Sequence, residues 1–278
     1  MALNKSTLFN KIYHDGLYDD FVNFAIFMRL TKGYSYFNSA LVLLQRPGAL
    51  FVETEDIWER RYDRRVKPDA TPIVIMLPFG PINFVYDYAD TYGDQIPSDM
   101  KDTFNLPKSD PLTGKILPTL IYVLNQLGIY YGEKDYGSRM GGQVEFMETP
   151  IKVRSFDGKK EVTTNSHYAI VVNKNLDENK KAATILHEVG HILCGHLPVD
   201  KENQRLRVMD RSNEHLSKEQ EEFEAERVCE LVCKTLGLAY DNEHYLKGYL
   251  INGTEPYFSV RVVVEAADKI MKSLQTSI

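Results

Sequence analysis

Residues 187–191 read His-Glu-Val-Gly-His, the spacing H-E-x-x-H, inside an apolar periodic segment at 182–197. Residues four apart lie on the same face of an α-helix, about one turn from each other. The imidazoles of His187 and His191 can therefore bind one tetrahedral Zn²⁺, with Glu188 beside them to accept a proton from a water on the metal. The pattern predicts a metal-binding helix. The alternative is a buried helix with two hydrogen-bonded histidines, which requires no glutamate at the second position.

A catalytic zinc normally has three protein ligands and a water, so a third ligand is needed. The extended motif H-E-x-x-H-x-x-G-x-x-H requires glycine at position 194 and histidine at position 197, where the chain has Cys194 and Leu197. His196 lies one position short of the required histidine. We expect His196 to cap the end of the helix or to face solvent.

The other common third ligand is a glutamate from a following helix, here predicted at 218–236. Glu224 is the favoured candidate, since it falls one turn before the apolar Val228 on the predicted inner face. Glu221 shares roughly the same flank. Glu222 and Glu226 are expected on a solvated face, as is usual for runs of charge. The alternative is that every carboxylate of this run faces solvent.

The predicted chemistry is hydrolysis of a peptide bond in a protein or peptide substrate. His187, His191 and Glu224 would hold one Zn²⁺ per chain, which lowers the pKa of a bound water toward about 7. Glu188 would accept the proton as that water attacks the carbonyl, and would then pass it to the leaving amine. The strand predicted at 167–172 offers an edge for an extended substrate, or is an ordinary core strand.

Composition places the chain among ordinary globular proteins. Its 278 residues, 43% apolar and 26% charged, can form one large domain or two smaller ones. No stretch approaches the roughly 18 consecutive apolar residues of a membrane helix. Asp15, Asp19 and Asp20 interrupt the early apolar positions, so no signal peptide is predicted and the expected location is the cytoplasm. The net charge of −6 disfavours a general nucleic-acid coat.

The three cysteines are predicted to be small buried hydrophobes. Cys194, Cys229 and Cys233 form no convincing disulfide framework, which fits a reducing compartment. Cys229 and Cys233 are four residues apart on the predicted helix at 218–236, and thiolates bind zinc well. Their apolar neighbours nevertheless favour a packing role.

The chain is predicted to form two α+β domains, at 1–105 and 112–278. The segment at 95–115 is rich in proline, glycine and polar residues, a composition typical of linkers. The second part follows the order helix, strands, helices and does not alternate strand with helix. Periodicity predicts helices at 18–30, 38–45, 57–62, 116–127, 218–236 and 259–274 and strands at 49–52, 72–77, 83–88, within 141–164 and at 167–172.

A group of cations and aromatic residues in the first part is a candidate single-stranded-DNA platform. Such platforms combine phosphate neutralisation with base stacking. The candidate nucleic-acid contacts are Trp58, Arg60, Arg61, Arg64, Arg65 and Lys67, with Tyr34 and Tyr62 nearby. The alternative places Trp58 in the core and pairs the arginines with Asp56, Glu59 and Asp63.

The second part of the chain resembles the ImmA/IrrE-type zinc metallopeptidases. The H-E-x-x-H motif and the stretch at 224–229 carry this resemblance. Those proteins place a ligand glutamate just before an alanine in a comparable helix, which implies Glu224 as the third ligand. The resemblance also implies a zincin-like, gluzincin-type metallopeptidase domain.

The chain resembles ArdC-like antirestriction proteins still more closely, and over most of its length. In the second part the stretches at 222–226, 231–233 and 236–238 look like the helix of that family. In the first part the resemblance to its N-terminal single-stranded-DNA-binding domain is carried by Tyr34, Asn38, Leu41, residues 45–47, Ala49, Trp58, residues 64–66, 84–87 and 91–93. The turn at 67–72 departs from the family pattern, because it carries less positive charge.

Together these features predict an intracellular zinc endopeptidase whose N-terminal domain binds DNA or substrate. The ArdC-like resemblance implies an alternative, a DNA-binding antirestriction protein in which zinc is mainly structural. The ImmA-like resemblance alone implies a further alternative, a regulator that cleaves one repressor.

Overall fold

The computed structural model describes residues 34–49, 51–77, 82–93, 115–137, 140–157, 160–238 and 248–275. The chain divides into two compact units, residues 1–110 (unit 1) and 111–278 (unit 2). The mixed helix and strand content confirms the predicted α+β class. The predicted helix at 18–30 and residues 95–114 of the predicted linker lie outside the described residues. None of the helices in the described ranges is long and apolar enough to cross a membrane.

The described part of unit 1 contains two small antiparallel sheets flanked by helices. Its elements are α1 (Tyr36–Gln45), β1 (Val52–Glu53), α2 (Glu55–Tyr62), β2 (Arg65–Val66), β3 (Ile73–Met76), β4 (Ile82–Asp87), a 3₁₀ helix (Tyr88–Asp90) and β5 (Thr91–Tyr92). One sheet has the order β1-β4-β3, and the other pairs β2 with β5. The strands predicted at 72–77 and 83–88 are confirmed as β3 and β4, and the helical turn at 57–62 as α2.

Two side-chain amides of α1 pair with the outer edge of β3 as a neighbouring strand would. Asn38 donates to the carbonyl of Met76 at 2.9 Å and accepts from its amide at 2.9 Å. Gln45, two turns later, does the same with Val74 at 2.8 and 2.9 Å. The edge of β3 is thereby protected, because its backbone groups already have partners.

Unit 2 builds one mixed sheet and covers it with helices. Its elements are α3 (Ile116–Gln126), β6 (Tyr130–Lys134), β7 (Gly142–Asp157), β8 (Lys160–Asn173), α4 (Glu178–Leu193), α5 (Lys218–Leu236) and α6 (Val260–Gln275). β8 runs parallel to β6 and antiparallel to β7. The β7–β8 hairpin has an irregularity between Phe146 and Ile151 that shifts its register.

The strand predicted at 167–172 lies in the middle of this sheet, within β8, so its assignment as a substrate-pairing edge is wrong. The strand order is β6-β8-β7, and β8 has a partner on each side. Its run Tyr168–Ile170 is buried, as is Val172, which is typical of a strand covered on both faces. Among the described residues β7 pairs only with β8, so β7 is the edge strand beside α4.

The helices α4 and α5 begin and end at residues suited to those positions. The carboxylate of Asp177 accepts the amide of Lys180 at 2.9 Å, so Asp177 is the N-cap of α4. α5 begins with a capping box formed by Ser217 and Gln220. It ends at its C-cap, Gly237, whose φ of 72° is a left-handed conformation that favours glycine.

Candidate metal centre

α4 and α5 cross closely at Gly190 and Ala225. A Cβ on Gly190 would lie 2.9 Å from the carbonyl oxygen of Ala225 and 3.0 Å from its Cα, so only glycine fits without moving a helix. Glu222 precedes Ala225 by three residues and Glu226 follows it directly. The crossing therefore brings both carboxylates to the histidines of α4.

Three side chains converge on one point beside this crossing. The Nε2 atoms of His187 and His191 lie 3.2 Å apart. The Oε2 atom of Glu222 lies 3.4 Å from Nε2 of His187 and 3.8 Å from Nε2 of His191. All three side chains are at most 15% exposed.

The donor set fits a zinc ion. Ligand atoms about 2.0–2.2 Å from a tetrahedral Zn²⁺ lie roughly 3.3–3.6 Å from one another. The three separations at His187, His191 and Glu222 bracket that range. Two imidazoles and one carboxylate are also a ligand combination that catalytic zinc uses, with one position left for water.

The structure differs from the prediction that Glu224 joins the histidine pair. Glu224 is fully buried and pairs with Arg211, whose Nη2 donates to Oε1 at 3.2 Å, while Oε2 accepts from Nη1. It also accepts the backbone amide of Ser259 at 2.8 Å and contacts His196. The apolar pattern of α5 predicted the wrong glutamate because the helix is buried around nearly its whole circumference. It therefore has no single inner face from which a ligand could be identified.

Glu226 is an internal residue, and its predicted place on a solvated face is wrong. It is 2% exposed, and its Oε2 lies 2.8 Å from Nδ1 of His187. Glu222, also expected on a solvated face, is only 15% exposed. A carboxylate that accepts the second ring N–H of a ligating histidine fixes the tautomer and orientation of that ring.

His196 is likewise internal and does not face solvent. Its side chain is 2% exposed, with Nδ1 2.9 Å from Nδ1 of His191 and Nε2 2.9 Å from Oε2 of Glu224. Burial lowers the pKa of His196 despite the contact with Glu224, so the ring is neutral near pH 7.

Glu188 lies next to the candidate ligands, in a largely dry setting. It is 8% exposed, and burial raises its pKa above the ordinary value. The neighbouring histidines and a hydrogen bond from the backbone of Val144 oppose this rise and lower the pKa.

His187 has a raised pKa. Burial lowers the pKa of His187, but its hydrogen bonds with Glu222 and Glu226 outweigh this effect and raise the pKa to about 10. The metal-free centre thus holds a proton that a metal ion would displace.

The three cysteines are buried thiols, as predicted. The sulfur atoms of Cys229 and Cys233 lie 3.9 Å apart, and Cys229 donates to the carbonyl of Ala183 at 3.3 Å. Cys194, His196 and Glu224 form a second group of possible ligand atoms, all within 4.8 Å of one another. The guanidinium of Arg211 already supplies a positive charge to that second group.

The candidate nucleic-acid contacts of unit 1 divide into internal and exposed residues. Trp58 is fully buried against Phe51 and Tyr62 and donates Nε1–H to the carbonyl of Tyr86 at 2.9 Å. Arg64 is 5% exposed and donates to Thr91 Oγ1 at 2.8 Å and to Gly93 O at 2.9 Å. The prediction of a surface platform is therefore wrong for these two side chains.

The other four cations of that group, Arg60, Arg61, Arg65 and Lys67, are exposed. Arg60 pairs with Asp56 at 2.8 Å, as in the alternative interpretation. Lys67 donates to the carbonyl of Ala89 at 2.8 Å. Arg65 lies on β2 directly opposite Tyr92 on β5, and the Tyr92 side chain is 51% exposed.

Comparison with known families gives a match that lies within unit 2. Residues 143–239 match the model of the peptidase M78 family, described as the IrrE N-terminal-like domain. The matched segment contains most of β7, all of β8, and the helices α4 and α5 that carry the candidate centre. It supports a peptidase-like fold for this part of the chain. Comparisons with curated proteins and with solved structures gave no significant match.

Proposed function

We propose that the chain is a zinc-dependent endopeptidase with a zincin-like catalytic domain in unit 2. His187, His191 and Glu222 hold the zinc ion, and Glu188 is the catalytic base. The observation that carries this proposal is the convergence of two Nε2 atoms and one carboxylate oxygen, 3.2–3.8 Å apart, beside Glu188. The peptidase-family match over the same helices supports it.

When bound, Zn²⁺ lowers the pKa of a water toward about 7 and polarises the substrate carbonyl. Glu188 accepts the proton of the attacking water and delivers it to the leaving amine. Its burial suits this role, because a carboxylate with a raised pKa is a better proton acceptor near neutral pH.

The outer edge of β7 is the proposed binding site for the substrate backbone. β7 approaches α4 at Gly142, where a Cβ would lie 2.7 Å from the side chain of Thr184, and at Val144, whose backbone contacts Glu188. An extended peptide added along this edge would present its carbonyl groups close to Glu188. Main-chain pairing of this kind supplies affinity without selecting particular side chains.

Metal content of the purified chain tests the ligand set. We expect about one zinc per wild-type chain. Glu222→Ala should bind zinc about 100-fold or more weakly, since one of the three protein ligands is removed. Glu221→Ala is the matched control, with the same change one residue away, and it should retain zinc. A loss in Glu221→Ala with zinc retained in Glu222→Ala would move the third ligand to Glu221. A wild-type chain that takes up no zinc would refute the proposal.

Proteolysis is tested by incubating the zinc-loaded chain with a proteome-derived peptide library and identifying new N-termini by mass spectrometry. Glu188→Gln is the control, because it keeps the shape of the site and removes the proton acceptor. We expect new N-termini with the wild type and a decrease of about 10²–10⁴-fold in cleavage rate with the variant. Equal cleavage by the two proteins, or none by either, would contradict the peptidase proposal.

We propose binding of single-stranded DNA by unit 1 as a second candidate function, because Arg65 lies across from the exposed ring of Tyr92. A cation beside an exposed aromatic ring can neutralise a phosphate and stack a base. Fluorescence anisotropy with an oligothymidine measures this binding. Tyr92→Ala should weaken it by about 1–3 kcal/mol, whereas Tyr122→Ala, an exposed tyrosine on α3, should not. No binding at low salt, or equal binding by both variants, would contradict the candidate.

A further inference from the structure

His191 contacts a second histidine through the ring nitrogen that faces away from Glu222. Its Nδ1 lies 2.9 Å from Nδ1 of His196. A hydrogen bond between two imidazole nitrogens requires one to carry the proton and the other to offer its lone pair. The distance alone leaves the direction of this bond open.

Glu224 determines that direction. Nε2 of His196 lies 2.9 Å from Oε2 of Glu224, and an ionised carboxylate only accepts hydrogen bonds. Nε2 of His196 must therefore carry the proton. In a neutral imidazole the other nitrogen, Nδ1, is then an acceptor. The donor to it is Nδ1–H of His191, which leaves Nε2 of His191 unprotonated and directed toward the candidate metal position.

The carboxylate of Glu224 is held ionised and in one orientation. Arg211 donates to both of its oxygens and is itself 5% exposed. The amide of Ser259, one residue before α6, donates to Oε1 at 2.8 Å. Arginine does not lose its proton in proteins, so this ion pair persists across the ordinary pH range. The buried ion pair of Glu224 and Arg211 thus fixes one end of the series of hydrogen bonds that runs from His191 through His196 to Glu224.

We propose that His196 is a positioning residue: it selects the Nδ1–H tautomer of His191 and fixes the orientation of that ring, so that Nε2 is ready for a metal ion. Glu224 and Arg211 in turn orient His196. The role assigned to the metal ion rests on the proposed function, whereas the tautomer of His191 does not.

The two candidate histidine ligands are therefore supported differently. His187 contacts a carboxylate, Glu226, directly at 2.8 Å. His191 instead contacts the neutral ring of His196, and that ring in turn contacts the carboxylate of Glu224. A carboxylate beside a ligand adds negative charge to the centre, whereas an imidazole orients the ligand without adding charge. Glu224 contributes no net charge beside the metal, since Arg211 neutralises it.

Long-range ¹H–¹⁵N spectra of the metal-free, full-length protein report the tautomer of each histidine. We expect His191 to carry its proton on Nδ1 in the wild type. In a His187→Ala background, which removes the other ring that contacts Nε2 of His191, His196→Leu should give a mixture of both tautomers, because the acceptor is lost. His196→Gln should restore the Nδ1–H form, because its amide can accept from His191 and donate to Glu224. A wild-type His191 with its proton on Nε2 would overturn the inference without any variant.

Zinc affinity, measured by competition with a chelator, provides the second readout. Loss of an outer-shell partner typically costs about 10–100-fold in affinity, which we expect for His196→Leu, with most of it recovered in His196→Gln. His215→Leu, the same change at an exposed histidine, is the control and should bind zinc as the wild type does. Unchanged affinity in a folded His196→Leu would overturn the positioning role.

The two readouts distinguish this inference from the proposed function. A wild-type chain without zinc affinity would refute the metal centre, and the tautomer spectra would still decide whether His196 orients His191. Zinc binding with the wrong tautomer would refute the role of His196 and leave the metal centre intact.

Discussion

The cation–aromatic group of unit 1 and the histidine–carboxylate group of unit 2 both combine charged and ring side chains, but their polar atoms are directed differently. Arg64 and Trp58 direct their N–H groups to backbone and hydroxyl oxygens of their own unit. His187 and His191 each turn one nitrogen to a supporting partner, and their Nε2 atoms converge with Glu222.

This difference separates structural from functional polar residues. Burying a polar group is costly unless hydrogen bonds compensate, so a polar group that serves the fold directs its donors to internal acceptors. Two imidazole nitrogens and a carboxylate oxygen that converge on one point are instead the ligand set of a cation. Trp58 and Arg64 meet the first description, whereas His187, His191 and Glu222 meet the second.

The largest expected effect separates the two carboxylates that the sequence could not distinguish. Glu224→Ala removes the buried carboxylate that pairs with Arg211 and contacts His196, and it should lower the free energy of unfolding by about 3–5 kcal/mol. Glu222→Ala should lower the free energy of unfolding of the metal-free protein less, by about 1–2 kcal/mol, because His187 loses one hydrogen-bond partner but keeps Glu226. Denaturant titrations of both variants measure the difference. Similar decreases in the free energy of unfolding of the two variants would contradict the assignment of Glu224 as a structural residue and Glu222 as a metal ligand.

Replacing Trp58 tests the structural side of the comparison. Trp58→Phe keeps an aromatic ring in the core but removes the N–H that donates to the carbonyl of Tyr86, and it should destabilise unit 1 by about 1–3 kcal/mol. Urea unfolding followed by far-UV circular dichroism measures this loss. A variant as stable as the wild type would show that the indole N–H contributes nothing to the stability of unit 1.

The pH dependence of zinc binding tests the histidine–carboxylate group of unit 2. His187 holds its proton in the metal-free protein up to a pKa of about 10, because Glu222 and Glu226 outweigh the effect of burial. Zinc must displace that proton, so the apparent affinity should rise by about tenfold, or 1.4 kcal/mol, per unit between about pH 7 and pH 9. Chelator competition across this range measures the slope. Glu226→Gln should flatten it, and a flat wild-type profile would contradict proton displacement at His187.

The smallest effect is expected at the exposed cations of unit 1. Arg60 and Asp56 form a pair whose side chains are 79% and 59% exposed, and such pairs contribute little. Arg60→Ala should change the free energy of unfolding by no more than about 0.5 kcal/mol, as measured by thermal unfolding. A larger loss would show that the exposed cations of this group also serve the fold.

Local patterns in the sequence were sufficient for much of the fold and, in the candidate site, for His187, Glu188 and His191. The helical period, Asp177 and Gly237 determined where α4 and α5 lie, because periodicity and caps act within a few residues. The spacing of His187 and His191 placed both imidazoles on one face for the same reason. The pair Gly190 and Ala225 was a further signal in the sequence, since two small residues permit a close crossing of the two helices, but the crossing point does not choose between Glu222 and Glu224.

The remaining choices were made by tertiary contacts. Whether Glu222 or Glu224 reaches the histidines depends on which side of α5 meets α4, and a helix buried on nearly all sides gives no such direction in its pattern. The carboxylate of Glu224 is instead bound by Arg211 and His196. Both residues lie in the segment between α4 and α5, which shows no helical or strand periodicity. The sequence alone thus determined the helices and the donor types. Only packing decided which donors meet, because that depends on distances between residues remote in the chain.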